Sequence, residues 1–193
     1  MATTTITPTV THDPDDQGWP AGWDDQLKMV ATFHGAFGVP TRMTPELPPL
    51  LDATRSIVGS VALNLGAMAV MLKALAARAN EAGLTDDGAA LVRLQLHVEE
   101  TGELAEAMEK SDLPGMLDAL SDIGFVNAGT YLVYGLQWVK ALADREVFSS
   151  NMSKLGPDGK PIIHESGRVM KGPDYRPPDL AGLLRVMHGG AGE

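Results

Sequence analysis

Five carboxylates close together in the sequence have the clearest potential for chemistry. They are three glutamates within five residues and two aspartates after a short break, namely Glu99, Glu100, Glu103, Asp118 and Asp122. Because successive residues of an α-helix turn by about 100°, the three glutamates share one helix face. By themselves they are explained more simply as a solvated acidic face, because Glu106 and Glu109 continue the acidic run.

The two aspartates are harder to explain by solvation. Asp118 and Asp122 lie four residues apart, on one face of a segment with no other charge between Met116 and Val139. This composition predicts a buried helix. A carboxylate left ionised and unpaired in a core is costly, so it must meet a cation, become protonated or bind a metal. Neither acidic helix offers a Lys or Arg at a suitable position, which favours a metal.

The break from Ser111 to Gly115 is short enough to predict that the two acidic helices are antiparallel neighbours. Counting outward from this turn places Glu103 level with about Asp122. Glu100 and Asp118 then lie nearby, so four carboxylates from facing helices can converge on one or more hard cations, Mg²⁺ or Mn²⁺. A di-iron site would instead require Glu-x-x-His motifs, which neither helix contains.

The pattern of apolar residues predicts an all-α helical bundle that positions these acids. By the period of 3.6 residues we expect helices over 24–37, 50–82, 89–110 and 116–140, with a short helical stretch over 144–154. The glycines and aspartates of 83–88 should separate the second and third helices, and the Gly- and Pro-rich segment 156–178 should carry little regular structure.

Composition excludes several classes of function. The 193 residues carry a net charge of -10, which argues against non-specific nucleic-acid binding and favours a small anionic substrate delivered with a divalent cation. The chain has no cysteine, which fits a reducing cytoplasm. Ser56 to Leu72 has no charge, but its small and polar residues favour a buried or interface helix over a membrane span. Residues 1–22 have the composition of a disordered leader.

The acidic motif resembles that of the MazG-like all-α nucleoside triphosphate pyrophosphohydrolases, which have Glu-Glu-x-x-Glu on one helix and Glu-x-x-Asp on the next. Glu99 to Glu103 matches the first half, and Asp122 matches the final Asp. The sequence departs at Ala119, where the family has Glu, so Asp118 is inferred to substitute. The segment 29–38 looks like the opening helix of phage-type and dUTPase-like members, and segments between 151 and 180 look like their C-terminal region.

The resemblance implies a single all-α domain over 23–182, with a flexible tail over 183–193. The stretch 51–90 does not fit compact members and looks like an inserted or extended helix. Family members generally form dimers or tetramers, and we expect a homodimer or homotetramer with its interface on the helix over 56–77. The implied location is the cytoplasm of a bacterial or phage-infected host cell, with no membrane or nucleic-acid partner.

The resemblance also implies roles for individual residues. The ligands of Mg²⁺ or Mn²⁺ would be Glu100, Glu103, Asp118 and Asp122, with Glu99 as ligand or base, and the catalytic candidates are Glu99 and Glu103. Lys154 and Lys171 would face the phosphates, although a solvated basic loop would have the same composition. The remaining candidates for substrate contact are His34, Asn127, Asn151 and Tyr175. Core packing is the simpler explanation of His34, and a helix-ending role is equally compatible with Asn151.

The implied reaction converts a nucleoside triphosphate to the monophosphate and pyrophosphate by attack of water at the α-phosphorus. The base remains open: dUTP and a guanine nucleotide are both candidates. Phosphoribosyl-ATP is the substrate of a related branch and ranks lower because the C-terminal region looks phage-like. A non-catalytic helical interaction module is the alternative outside enzymology, and it predicts no dependence on metal.

Overall fold

The computed structural model describes residues 19, 22–42, 44–166 and 168–189. Across these residues the helices are α1 Asp25–Phe37, α2 Asp52–Glu81, α3 Thr85–Lys110, α4 Leu113–Val133, α5 Lys140–Met152 and α6 Leu180–Gly189. Within the same ranges, β-structure is limited to two isolated antiparallel bridges, Leu155 with Pro161 and Ile163 with Val169. The prediction of an all-α protein is confirmed.

The chain divides into two compact units. The central unit is Pro45–Gln137 and contains α2, α3 and α4, including all five candidate carboxylates. The terminal unit consists of the residues up to Thr44 and from Trp138 onward, and it contains α1, α5 and α6. The single domain expected over 23–182 stays a prediction.

Helices α2 and α3 form a close antiparallel hairpin. A Cβ added at Gly102 would lie 3.3 Å from the Leu65 Cβ and 3.6 Å from the Gly66 backbone nitrogen, so the two backbones approach directly at this crossing. At the open end of the hairpin, the Arg55 guanidinium donates to the Glu109 carbonyl and to the Ser111 hydroxyl. Small residues and one cation therefore hold the helix that bears the three glutamates.

The turn between α2 and α3 is shorter than expected. Gly83 takes a positive φ of 77°, and α3 already begins at Thr85. Asp86 and Asp87, expected to belong to the break, lie in the first turn of α3, where negative charge interacts favourably with the helix dipole. The expected start at residue 89 is therefore wrong by one turn.

Helix α4 begins directly after a capped turn and ends earlier than expected. Ser111 ends α3 in the left-handed conformation, and the Asp112 side chain caps α4 by accepting from the Gly115 N–H at 3.1 Å. The expected helix over 116–140 is wrong at its C-terminal end, because Gly135 turns the chain with a φ of 68° and a new helix starts at Lys140.

Much of the apolar surface of α4 is exposed, so the prediction that this helix is buried is wrong for the single chain. Ala119 and Val126 are buried on the side toward α3. Phe125 is 82% exposed, and Leu117 and Leu132 are also exposed. Within the central unit α4 packs along α3, which covers one side of a helix that is apolar on several sides.

Helix α2 is likewise apolar and largely exposed. By length and composition alone it could cross a membrane, although only 11% of its most apolar window is buried. Those two properties do not distinguish a membrane span from a helix that packs against another protein. The alternative that α2 is buried within its own chain is therefore wrong, and the interface alternative stays a prediction.

The terminal unit packs α1 and α6 against α5. Helix α1 has the predicted bounds, because the Asp24 side chain caps it by accepting from the Leu27 N–H at 2.8 Å. Part of the expected flexible tail, 183–189, is helical in α6, which begins at a cap in which Asp179 accepts from the Gly182 N–H at 2.8 Å; its flexibility stays a prediction. The expected disordered leader lies outside the described residues, except for Trp19, which stacks on Trp23, and Gly22.

Candidate active site

The contacts between α3 and α4 define which acids face each other. A Cβ at Gly115 would touch the Ala107 Cβ at 3.4 Å, near the turn that joins the helices. Counting seven residues inward from this contact along each helix brings Glu100 level with Asp122. The connecting turn is Ser111 and Asp112 alone, shorter than the five residues expected. The expected register, with Glu103 level with about Asp122, stays a prediction.

A hydrogen bond fixes the same pair of helices one turn farther from the connecting turn. The His97 Nε2 lies 3.0 Å from the Thr130 hydroxyl oxygen, and that hydroxyl donates to the Val126 carbonyl at 2.9 Å. Because the single hydroxyl proton is already used, the His97 ring N–H is the donor to Thr130. This bond connects α3 to α4 directly beside the acidic cluster.

Glu100 is the carboxylate most perturbed by this arrangement. Its Oε2 is buried and has no hydrogen-bond partner among the described residues. Burial is the largest cause that raises the pKa of Glu100, followed by the negative charges of Glu103, Asp122, Glu99 and Asp118. The acids that raise the pKa of Glu100 belong to both α3 and α4. The five predicted carboxylates therefore form one electrostatic cluster.

The other members of the cluster are more accessible. Glu103, Asp118 and Asp122 are exposed. The expectation that the two aspartates are buried, from which a metal site was predicted, is therefore wrong for the single chain. Glu99 is half-buried and accepts a hydrogen bond from the buried Gln95 amide. The partial burial of Glu100 between two acidic helices is instead the reason to expect a metal at this cluster.

The donor set of this cluster fits a hard divalent cation, because every side chain in it offers carboxylate oxygen. The orphaned oxygen of Glu100 adds an observation that a cation would explain. Across the described residues, however, no three Asp, Glu or His side chains already surround one point at ligand distances. Like charges separate when nothing lies between them, so a complete ligand set requires the exposed aspartates to rotate toward Glu100.

A groove of about 730 Å³ runs between α2 and α3 beside the cluster. Small residues of α2, including Gly59, Ala62 and Gly66, form one wall, and Glu99 and Glu103 lie on the other. A volume of this size is typical of a small-molecule site. Two of the five carboxylates therefore border a space that is large enough for part of a nucleotide.

The other predicted substrate residues are distributed over both units. In the terminal unit the Lys154 ammonium donates to the Asn151 side-chain oxygen at 2.7 Å, and the Lys171 ammonium lies 4.3 Å from the centre of the Tyr175 ring. In the same unit the His34 Nδ1 lies 3.4 Å from the Thr41 hydroxyl. Asn127 is half-buried on α4 of the central unit. Their roles in substrate binding stay predictions.

One residue of the central unit was missed from the sequence. Arg93 lies on α3, and its guanidinium nitrogen is 2.8 Å from where a Cβ of Gly129 would be, so it contacts α4. Neither acidic helix was expected to offer a suitable cation because only residues near the acids were weighed, although Arg93 lies within the helix expected over 89–110. The spacing of seven residues from Arg93 to Glu100, which places both on one helix face, would have revealed it.

Comparison with known proteins agrees with this geometry. Residues 69–146 match the phosphoribosyl-ATP pyrophosphohydrolase family model, a range that includes all five carboxylates. The crystal structure of a proposed NTP pyrophosphohydrolase from Exiguobacterium sp. 255-15 is similar with a TM-score of 0.52 and 23% identity, over 86% of this chain and 98% of that one. No curated protein sequence matches this chain significantly.

The chain has the MazG-like all-α NTP pyrophosphohydrolase fold. The resemblance inferred from the acidic motif is thereby confirmed at the level of the fold. The phage-type or dUTPase-like branch is not confirmed, because the matching family is the phosphoribosyl-ATP branch that the sequence analysis ranked lower. The family match also begins at residue 69, within the segment 51–90 that seemed foreign to this fold.

Proposed function

We propose that this protein hydrolyses a nucleoside triphosphate to its monophosphate and pyrophosphate with the help of divalent ions. The observation that carries the proposal is the orphaned carboxylate of Glu100, which lies between acids of α3 and α4 and has a raised pKa. A site with this excess of negative charge can accept a polyphosphate only if cations lie between the two. The family match over the same two helices supports this reading.

The roles of the residues follow from their positions. Glu100 and Asp122, which face each other, would hold Mg²⁺ or Mn²⁺, with Glu103 and Asp118 completing the set. Such ions neutralise charge on the phosphates and lower the pKa of bound water. The Gln95 amide orients the Glu99 carboxylate, so Glu99 is suited to accept a proton from the attacking water. Glu103 would assist as ligand and as a second catalytic carboxylate.

The class of substrate would be a triphosphate, and the surface that accepts the nucleoside would select the base. The candidates are dUTP, a guanine nucleotide such as dGTP, and phosphoribosyl-ATP, and the match of residues 69–146 to the phosphoribosyl-ATP pyrophosphohydrolase family supports the last of these. Each would be cleaved between its α- and β-phosphates. We propose that the α2–α3 groove accepts the nucleoside, because it borders Glu99 and Glu103 and its α2 wall of glycine and alanine leaves room for a ring.

A panel of these triphosphates, assayed for pyrophosphate and for the matching monophosphate with Mg²⁺ or Mn²⁺, tests the activity. Turnover should require the ion and should be lost in the Glu103→Gln variant, which keeps the size of the side chain. Glu81→Gln is the matched control, because Glu81 is an exposed acid at the end of α2 and does not line the groove. Equal activity of both variants, or release of inorganic phosphate without pyrophosphate, would contradict the proposal.

We further propose that α2 packs against a second copy of the chain in a homodimer or homotetramer. Outside the α2–α3 groove, α2 exposes Ile57, Val61 and Met71, which are 65%, 45% and 54% exposed. Apolar surface of this extent on one helix marks an interaction site. We place the protein in the cytoplasm, with no membrane or nucleic-acid partner.

Light scattering of the wild type and of the Val61→Glu and Met71→Glu variants tests this assembly. The wild type should be a stable oligomer in the soluble fraction, and each charged variant should dissociate. A wild type that stays monomeric, or that is recovered only from membranes, would contradict the assembly. Assembly without any turnover would instead favour a non-catalytic interaction module, which the exposed face of α2 would equally serve.

A further inference from the structure

Arg93 is a half-buried cation that has no carboxylate partner among the described residues. It lies on α3, and its terminal nitrogen reaches across to α4 at Gly129. It is not among the charges that shift the pKa of Glu100, so it does not neutralise the acidic cluster. A guanidinium held at a helix contact without an anion is positioned for an anion from outside the chain.

The position of Arg93 relative to the acids follows from helix geometry. Arg93 precedes Glu100 by seven residues, and Gly129 follows Asp122 by seven residues. Seven residues complete nearly two turns, so each pair shares a helix face, separated by about 10 Å along the axis. Arg93 and Glu100 therefore lie on the same side of α3, and His97, which bonds to Thr130 of α4, lies between them along that helix.

We propose that Arg93 binds the terminal phosphates of the substrate, which leave as pyrophosphate. This inference rests on the proposed function, in which the α-phosphate lies at the carboxylates where water attacks. The rest of the nucleotide must extend in two directions, and the negatively charged terminal phosphates are drawn toward the cation while the nucleoside is not. The planar guanidinium offers paired donors that match phosphate oxygens, and it stabilises the charge that develops on the leaving group.

Gly129 gives the guanidinium its space. A Cβ at this position would lie 2.8 Å from the Arg93 nitrogen, and that nitrogen is the far end of a flexible side chain. The Gly129→Ala variant should therefore displace the guanidinium without disturbing the fold. Alanine also favours the helix over glycine, so the melting temperature should stay the same or rise.

Gly124 provides a matched control on the same helix, because a Cβ there would meet nothing within 4 Å. The Gly124→Ala variant gains the same helix propensity but leaves Arg93 in place. Any loss of phosphate binding that is specific to Gly129→Ala then reports on the guanidinium and not on helix stability. Arg78→Ala, which removes an arginine from the last turn of α2, is the control for net charge.

The test measures the affinity for inorganic pyrophosphate by calorimetry in the presence of Mn²⁺, and KM and kcat for the best triphosphate. Arg93→Ala and Gly129→Ala should each weaken pyrophosphate binding and raise KM by about 10- to 100-fold, the range for hydrogen bonds to charged groups. Arg93→Lys should lose less affinity for pyrophosphate than Arg93→Ala does, because lysine keeps the positive charge but lacks the paired donors of the guanidinium. Gly124→Ala and Arg78→Ala should match the wild type.

Two results would overturn the inference: unchanged pyrophosphate affinity in both variants, or a melting temperature that falls in Arg93→Ala while the affinity and KM remain those of the wild type. The second result would show that Arg93 only joins the helices. A wild type that binds pyrophosphate through Arg93 but hydrolyses none of the triphosphates would refute the proposed function and leave the anion site standing.

Discussion

Replacing Glu100 by Gln should make the metal-free protein more stable while weakening its response to metal. The Glu100 Oε2 is buried and has no hydrogen-bond partner within the part of the chain that the structure describes. Burial, followed by the negative charges of four neighbouring acids, raises the pKa of this carboxyl. A neutral amide of the same size removes the repulsion and most of the cost of burial. Carboxylates that together bind a cation destabilise the protein when the cation is absent. A gain in stability of the metal-free Glu100→Gln variant would therefore indicate a cation-binding site.

The magnitude can be worked from these contacts. An unpartnered buried polar group costs about 1–3 kcal/mol, and more when it is charged. Because the amide of the Glu100→Gln variant is still without a partner, we expect a gain of about 1 kcal/mol, the lower end of that range. For a protein of this length the gain corresponds to a rise of about 2–4 °C in Tm.

The response to metal should change in the opposite direction. An ion present at 100 times its Kd stabilises the wild type by about 2.7 kcal/mol, which is about 5–10 °C in Tm. If loss of one anionic ligand weakens binding tenfold, the same ion concentration adds only about 1.4 kcal/mol to the variant. Thermal unfolding with Mn²⁺ and with a chelator measures both effects.

Glu106→Gln is the control for this experiment. Glu106 is exposed and pairs with Lys110 on the same helix, a surface contact that contributes little to stability. This variant should be slightly less stable than the wild type and should respond fully to Mn²⁺. A Glu100→Gln variant that is less stable without metal, and that responds to Mn²⁺ as the wild type does, would refute the electrostatic reasoning.

Three other predictions follow from the structure. The raised pKa of Glu100 means that its contribution to folding is present below the ordinary value of 4.5 and is lost as pH rises through the folded pKa. Urea unfolding of the metal-free wild type should therefore show stability that falls relative to Glu100→Gln as the pH is raised above 4.5. Gly102→Val should lower stability by about 1–3 kcal/mol in the same assay, because its side chain would press on Leu65 at the α2–α3 crossing. Gly172→Ala should destabilise the protein and increase proteolysis of the terminal unit, because its Cβ would lie 2.3 Å from the Leu155 carbonyl oxygen; equal protection from protease would contradict this contact.

Much of the fold could be predicted because its signals are local. The cap at Asp24 and the left-handed Gly38 define α1, and the apolar periodicity identifies α2 to α5. The errors arise at turns, where one or two residues decide the geometry. Gly135 ended α4 early because it takes a positive φ, and the turn between α3 and α4 is Ser111 and Asp112 instead of the five residues expected.

The residues of the candidate site could be predicted from the sequence, but their burial and the residues around them could not. The helical period places three glutamates together, and a short turn brings the two aspartates to the same neighbourhood. Burial could not be predicted from composition, because an apolar helix such as α4 can face either its own core or another protein, and Phe125 is 82% exposed. The contact between Arg93 and Gly129 depends on the register of two helices, which the sequence alone did not fix.

The central claim is that acids from α3 and α4 jointly bind a divalent ion. The most direct test is a crystal structure of the full chain with Mn²⁺ and a non-hydrolysable triphosphate, in which anomalous scattering locates the metal. The account predicts a manganese peak between Glu100 and Asp122, within ligand distance of both and in contact with the phosphates. A peak bound only by residues of one helix, or no peak between these two carboxylates, would contradict it.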